Sequence, residues 1–143
     1  MPDALAVVRG IYDAYRRGDV DAVLKACAPD IDWITSKETL PWSDGQYRGR
    51  EGVAKYFADF SQYIDGLRLE VDELIDGDDR VVAVGDLFAT ARASGRDYRA
   101  RFAQIWTVRD GRAVRLEGII DTMMIACAIN PELDAFIGPA ASR

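Results

Sequence analysis

Residues 98–121 read as two apolar strands joined at Arg109-Asp110-Gly111, and a single polar residue, Gln104, interrupts the apolar face they share. Asp-Gly between alternating strands is strong hairpin chemistry, because both turn positions need positive φ. Two loop lengths fit. A two-residue Asp110-Gly111 loop sets Gln104 opposite Glu117 and Trp106 opposite Arg115. A three-residue loop with Gly111 in a bulge pairs Trp106 with Val114, Gln104 with Leu116 and Phe102 with Gly118, and brings Arg99 near Asp121. Register follows the face that can be buried, so the three-residue loop is expected. A neutral amide inside such a face needs hydrogen-bond partners there, from protein, water or ligand. The hairpin therefore predicts a pocket more directly than a reaction.

The rest of the chain supplies elements to cover that sheet. Asp3 can cap a helix carrying Leu5, Val8, Tyr12 and Tyr15 along one stripe, and Gly18 ends it. Asp19 caps a second helix with Val20, Val23, Leu24 and Cys27 at amphipathic spacing, broken by Pro29-Asp30. Residues 31–35, with Trp33, read as a short strand. Residues 36–48 read as a polar loop holding Trp42 and Tyr47, and Gly49-Arg50-Glu51-Gly52 opens a third helix burying Val53, Tyr56, Phe57 and Phe60. Strand signals follow at 67–75, 80–91 and 98–108, joined through Gly77-Asp78-Asp79 and Ser94-Gly95. Residues 123–129 look helical, Met123 and Met124 read as pliable core, and Asn130-Pro131 stops the helix before a tail that docks or frays. Helices first and a meander later indicate an α+β fold with helices on one sheet face.

With 143 residues the chain suits one domain, 1–143, without repeat or linker. A net charge of −6 without a basic run argues against nucleic acid or an anionic membrane surface as partner. No apolar stretch reaches spanning length and the N-terminus lacks a signal pattern, so the expected location is cytoplasmic. Cys27 and Cys127 read as buried reduced thiols. The chain contains no histidine, which removes His-activated nucleophiles and His-dependent metal sites. No metal or cofactor is expected, and acid–base chemistry would fall to carboxylates, Tyr, Lys, Arg or Cys.

The run Gly18-Asp19, Asp30-Ile31-Asp32-Trp33, Tyr47-Arg48-Gly49-Arg50-Glu51-Gly52-Val53-Ala54-Lys55-Tyr56-Phe57, Arg109-Asp110-Gly111-Arg112 and Asp121-Thr122 resembles the nuclear transport factor 2-like superfamily. Within it, the likeness is to SnoaL-like and ketosteroid isomerase-like proteins. The resemblance implies a cystatin-like cone: a curved antiparallel sheet wrapped around three N-terminal helices, with a ligand cavity at the open end. It also implies a homodimer through the outer sheet face, here bearing Arg99, Arg101, Ile105, Arg115, Glu117 and Ile119. The superfamily spans isomerases, cyclases, dehydratases, epoxide hydrolases and binders, so fold alone does not assign function.

Transferred slot by slot, the resemblance leaves the usual acids unfilled. The base slot of ketosteroid isomerase-like enzymes falls at Thr35, with Asp32 or Glu38 reachable only if the loop slips. The enolate-stabilising acid aligns with Gln104, which can donate a hydrogen bond but not a proton. The tyrosine slot falls near Ile11, so Tyr12 or Tyr15 could replace it or be ordinary core aromatics. The final-strand acid of SnoaL-like cyclases and limonene epoxide hydrolase-like enzymes falls at Gly118, and scytalone dehydratase-like chemistry needs histidines. Asp86 is then the carboxylate to test. A three-residue Ala93-Ser94-Gly95 loop turns it inward opposite Phe102, whereas a loop one residue shorter or longer turns Val81, Ala83, Gly85 and Leu87 inward and Asp86 outward. Asp121 is expected to cap the last helix and pair with Arg99.

The resulting expectation is a pocket for a small hydrophobic ligand bearing a carbonyl or hydroxyl. Its walls would be Trp33, Thr35, Tyr56, Phe57, Phe102, Gln104, Trp106, Leu116, Gly118 and Ile120. If catalytic, it would run proton-transfer isomerisation, cyclisation or dehydration with Asp86 as base and Tyr12 or Tyr15 as donor. The alternative is a non-catalytic ligand-binding or dimerisation module.

Overall fold

In the computed structural model, which describes residues 3–35 and 45–136, a six-stranded sheet curls around the N-terminal helices. Helix α1 (Ala4–Arg17) starts at Asp3, whose carboxylate accepts from the Ala6 amide at 2.8 Å, and ends at Gly18 in the left-handed region (φ 68°). Asp19 caps α2 (Val20–Ala26) in the same way. Strands β1 (Cys27–Ile34) and β2 (Gln46–Arg48), helix α3 (Gly49–Phe60), strands β3 (Ile64–Gly77), β4 (Arg80–Ala91), β5 (Asp97–Arg109) and β6 (Arg112–Ile120), helix α4 (Thr122–Ile129) and a short 3₁₀ helix (Pro131–Phe136) follow. The spatial strand order is β2-β1-β6-β5-β4-β3.

The sheet is mixed rather than purely antiparallel, because β1 runs parallel to β6. Cys27 belongs to this strand and not to α2. Its backbone is already extended, and its carbonyl accepts two hydrogen bonds from the Arg50 guanidinium, at 2.9 and 2.8 Å. Those bonds satisfy a carbonyl beside the irregular pairing at Pro29, so the strand begins earlier than the proline suggests. Of the expected 36–48 loop, 46–48 form β2, while 36–44, including Glu38 and Trp42, lie outside the described residues.

The hairpin resolves differently from either simple loop. Asp110 and Gly111 form a two-residue turn with φ of 52° and 74°, and Arg109 faces Arg112. One step later the ladder slips: Val108 faces Ala113 but Thr107 faces Arg115, which leaves Val114 as a bulge. Beyond it Gln104 pairs with Gly118, Trp106 with Leu116 and Phe102 with Ile120. The expected inward face is kept, with its partners moved by two residues. Arg99 accordingly sits 4.0 Å from Asp86 rather than near Asp121, whose amide donates to the Arg101 carbonyl and whose carboxylate caps α4.

Gly85 marks the sharpest close approach in the sheet. A Cβ there would stand 2.0 Å from the Glu70 carbonyl oxygen, beside a bulge between Val71 and Glu73 that bends β3. The apolar interior falls into two groups. One gathers Val8, Ile11, Trp33, Val53, Trp106 and Leu116, and the other Phe60, Ile64, Ala91, Tyr98 and Ile125. Both expected free thiols, Cys27 and Cys127, are buried, whereas Met123 is exposed and only Met124 packs inward. The segment after Asn130 docks through two 2.9 Å contacts between Arg96 and Asp134. No helix among the described residues is long and apolar enough to cross a membrane.

Candidate functional site

Gln104 is held by a relay that begins in the core. Trp106, fully buried on the same strand, donates from Nε1 to the Tyr12 hydroxyl at 2.9 Å, and that hydroxyl in turn bonds Oε1 of Gln104. Chemistry fixes the direction of this chain. An indole N–H can only donate, so the Tyr12 oxygen accepts from it and the Tyr12 proton must go to an acceptor. The amide oxygen of Gln104 therefore faces Tyr12, and its NH₂ has no partner among the described residues. Tyr12 was expected as a donor to ligand; instead its proton is committed to Gln104 and it stands behind the cavity wall.

The cavity lies between this point, α3 and α4, and offers about 70 Å³ to the centres of water-sized molecules. Tyr15, Trp33, Thr35, Tyr56, Phe102, Gln104, Leu116, Gly118 and Ile120 line it. Phe57 and Trp106 do not. Phe57 packs between Tyr15 and Phe60, and Trp106 stacks edgewise on Trp33 and Tyr12 as core. Leu87 also lines it, as the longer loop alternative implied, whereas Phe60, Ile64, Leu67, Tyr98 and Ile125 were not anticipated. Strand alternation from Gln104 through Phe102 reaches Tyr98, so that residue was legible; Ile125 depends on how α4 docks.

Asp86 is not part of this site. The loop 92–95 is closed by the Ala91 amide bonding the Arg96 carbonyl at 2.9 Å, one residue longer than the loop that would turn Asp86 inward. Gly85, not Asp86, faces Phe102; Asp86 pairs with Arg101 on the outer face, 3.3 Å from its guanidinium, which also bonds Asp72. Asp32 is likewise outward, bonded by Gln46 Nε2 at 2.7 Å. No carboxylate is among the described residues that line the cavity, and no cluster of three or more acidic, thiol or imidazole groups suited to a metal occurs among them.

What the lining offers is neutral donors. The Trp33 indole N–H and the Tyr98 hydroxyl are both buried with no hydrogen-bond partner among the described residues, which is rare enough to require explanation. The hydroxyls of Tyr15 and Tyr56 also bond nothing among the described residues. Burial pushes the phenols of Tyr12, Tyr15, Tyr56 and Tyr98 well above the ordinary range, with neighbouring phenols adding at Tyr15, Tyr56 and Tyr98 and the Trp106 hydrogen bond opposing at Tyr12. They stay protonated at neutral pH and act as donors, not bases. Gly118, directly opposite Gln104, keeps the space over the amide open.

Comparison with known proteins agrees with this architecture. The SnoaL-like domain profile matches residues 8–116. An uncharacterized protein of Mycobacterium tuberculosis H37Rv is 33% identical over 116 residues, covering 78% of this chain and 84% of its own length. An NTF2-like protein of unknown function from Burkholderia pseudomallei K96243 superposes with a TM-score of 0.84 at 31% identity, covering 91% of this chain and 99% of that one. TerC, co-crystallized with polyporic acid, superposes with a TM-score of 0.81 at 28% identity, covering 88% of this chain and 97% of its own. The chain belongs to the SnoaL-like family, within the nuclear transport factor 2-like superfamily.

Proposed function

We propose that this protein binds a small, largely apolar ring compound through a carbonyl or phenolic oxygen seated against the Gln104 amide. The observation that carries this reading is the Trp106–Tyr12–Gln104 relay, which spends three side chains on aiming one NH₂ into an apolar cavity. The unpartnered Trp33 indole supplies a second donor in the same wall. That TerC, a sequence-related protein of this fold, was co-crystallized with polyporic acid supports a small-molecule ligand here.

Calorimetric titration with biphenyl and 4-hydroxybiphenyl tests the idea. The hydroxyl should tighten binding about tenfold, the worth of one or two well-placed hydrogen bonds at roughly 1–1.5 kcal/mol. Gln104→Leu should erase that difference. Equal binding of the two compounds, or a hydroxyl preference that survives the substitution, refutes the reading. Native mass spectrometry of protein from its own host would then name the natural ligand.

A second reading is an isomerase-type activity, favoured by donors suited to a developing enolate oxygen. With no carboxylate in the described lining, the proton would pass to water or to a basic group of the substrate. Deuterium exchange into 2-tetralone, followed by NMR, should then be faster with the protein than with Gln104→Leu. We also propose pairing of two copies through the outer sheet face, where Ile119 is 54% exposed; light scattering should give the mass of a dimer.

A further inference from the structure

The cavity carries a further unsatisfied polar group far from Gln104, and this chain's own strand spacing sets the two apart. Gln104 and Tyr98 project from the same face of β5, six residues apart, so their Cα atoms are separated by roughly 20 Å at the rise of a strand. Phe102 lies between them on that face. The two ends belong to different apolar groups. The Gln104 end is backed by Trp33 and Trp106, and the Tyr98 end by Phe60, Ile64 and Ile125.

Tyr98 is 6% exposed, and its hydroxyl finds no hydrogen-bond partner among the described residues. A phenylalanine would fill the same volume without burying an orphaned hydroxyl, which costs about as much as a lost hydrogen bond. Its neighbours do not explain it. Ala89 faces it across β4, and Ile125 is the nearest cavity-lining residue of α4 in the same packed group. Tyr98 itself lines the cavity, so a molecule held there is a partner its hydroxyl could turn to.

Resting on the ligand reading above, we infer that the ligand is two-ended: an oxygen at the Gln104–Trp33 end, a flat apolar body along Phe102, and a second hydroxyl or carbonyl that meets Tyr98. A phenol can donate and accept, so Tyr98 takes either group, whereas the Gln104 amide and Trp33 indole take only an acceptor. The ligand is thus polar at both tips and directional in its chemistry.

The test adds a second hydroxyl to rods of two lengths: 4-hydroxybiphenyl against 4,4′-biphenol, and 4-hydroxy-p-terphenyl against 4,4″-dihydroxy-p-terphenyl. At the length that fits, the diol should bind five- to tenfold tighter than its mono-ol. Tyr98→Phe should abolish that advantage, and Gln104→Leu should weaken both diol and mono-ol. If neither diol outbinds its mono-ol, or if the advantage persists in Tyr98→Phe, the second anchor is refuted while the Gln104 site stands. If no hydroxylated rod binds at all, the ligand reading falls and takes this inference with it.

Discussion

Replacing Tyr12 by Phe removes one oxygen from the middle of the relay and isolates groups on both sides. Trp106 is 0% exposed, so its indole N–H has no water to turn to once the Tyr12 oxygen is gone. An unsatisfied buried donor costs about 1–3 kcal/mol. The Gln104 oxygen loses its donor too, but it sits at the cavity edge and can be hydrated at little cost. The expected destabilisation is about 2 kcal/mol, or a fall in Tm of roughly 4–8 °C for a domain of this size. Tyr15→Phe provides the control, because the Tyr15 hydroxyl bonds nothing among the described residues and its loss should change stability by less than about 0.5 kcal/mol. Urea denaturation of both variants makes the measurement, and the Trp106 indole resonance should move upfield in Tyr12→Phe alone. With the amide no longer oriented, 4-hydroxybiphenyl should also bind several-fold more weakly. Equal stability of the two variants would refute the relay and the amide orientation deduced from it.

Other consequences are open to measurement. Gly118→Leu places a side chain opposite Gln104, where a Cβ meets only the Ile34 carbonyl at 3.7 Å; it should abolish 4-hydroxybiphenyl binding with Tm within about 2 °C of the parent. Binding that survives would put the ligand elsewhere. Gly85→Ala, with its Cβ forced to 2.0 Å from a backbone oxygen, should cost more than about 3 kcal/mol, and a variant melting within 3 °C of the parent contradicts the close approach. Burial raises the Cys27 thiol from 9.0 to about 12 and lifts the Tyr12 and Tyr98 phenols above their ordinary value of 10.0. These protons are held more tightly in the folded state, so the stability they contribute is intact below pH 9 and lost as pH climbs toward 12. Each group should remove about 1.4 kcal/mol per pH unit once its unfolded form ionises. Urea midpoints at pH 8 and pH 10.5 should differ clearly, and equal midpoints would show that these groups are not buried as described.

Much of the fold was legible because local chemistry and tertiary structure agree. Asp3, Gly18, Asp19 and Asp121 punctuate helices as their side chains and backbone freedom dictate. Gln104 pointed inward on alternation alone, since a slip of two residues preserves the face. What alternation cannot reveal is a bulge, so the Val114 insertion and the true partners of Gln104 and Trp106 are not written in the local pattern. Asp86 shows the sharper failure. Its side of the sheet turns on whether loop 92–95 counts three residues or one more, and contacts distant in sequence hold the longer loop: Ser94 bonds the Ala128 carbonyl at 2.5 Å and Arg96 pairs with Asp134. The strand at Cys27 was hidden for a similar reason, because the Arg50 guanidinium that satisfies its carbonyl comes from another helix. Tyr98 could have been found by extending the alternation from Gln104 past Phe102 to the start of β5.

The division of the interior into two packed groups gives the cavity a mechanical role as well as a chemical one. Tyr56 and Phe57 of α3 touch both groups, and the cavity walls are drawn from both. A molecule filling that space would join the halves as mortar joins two courses of stone. Occupancy would then make the melting of α4 and the β4–β5 end concerted with that of the α1 end, where the empty protein is free to loosen at one end first.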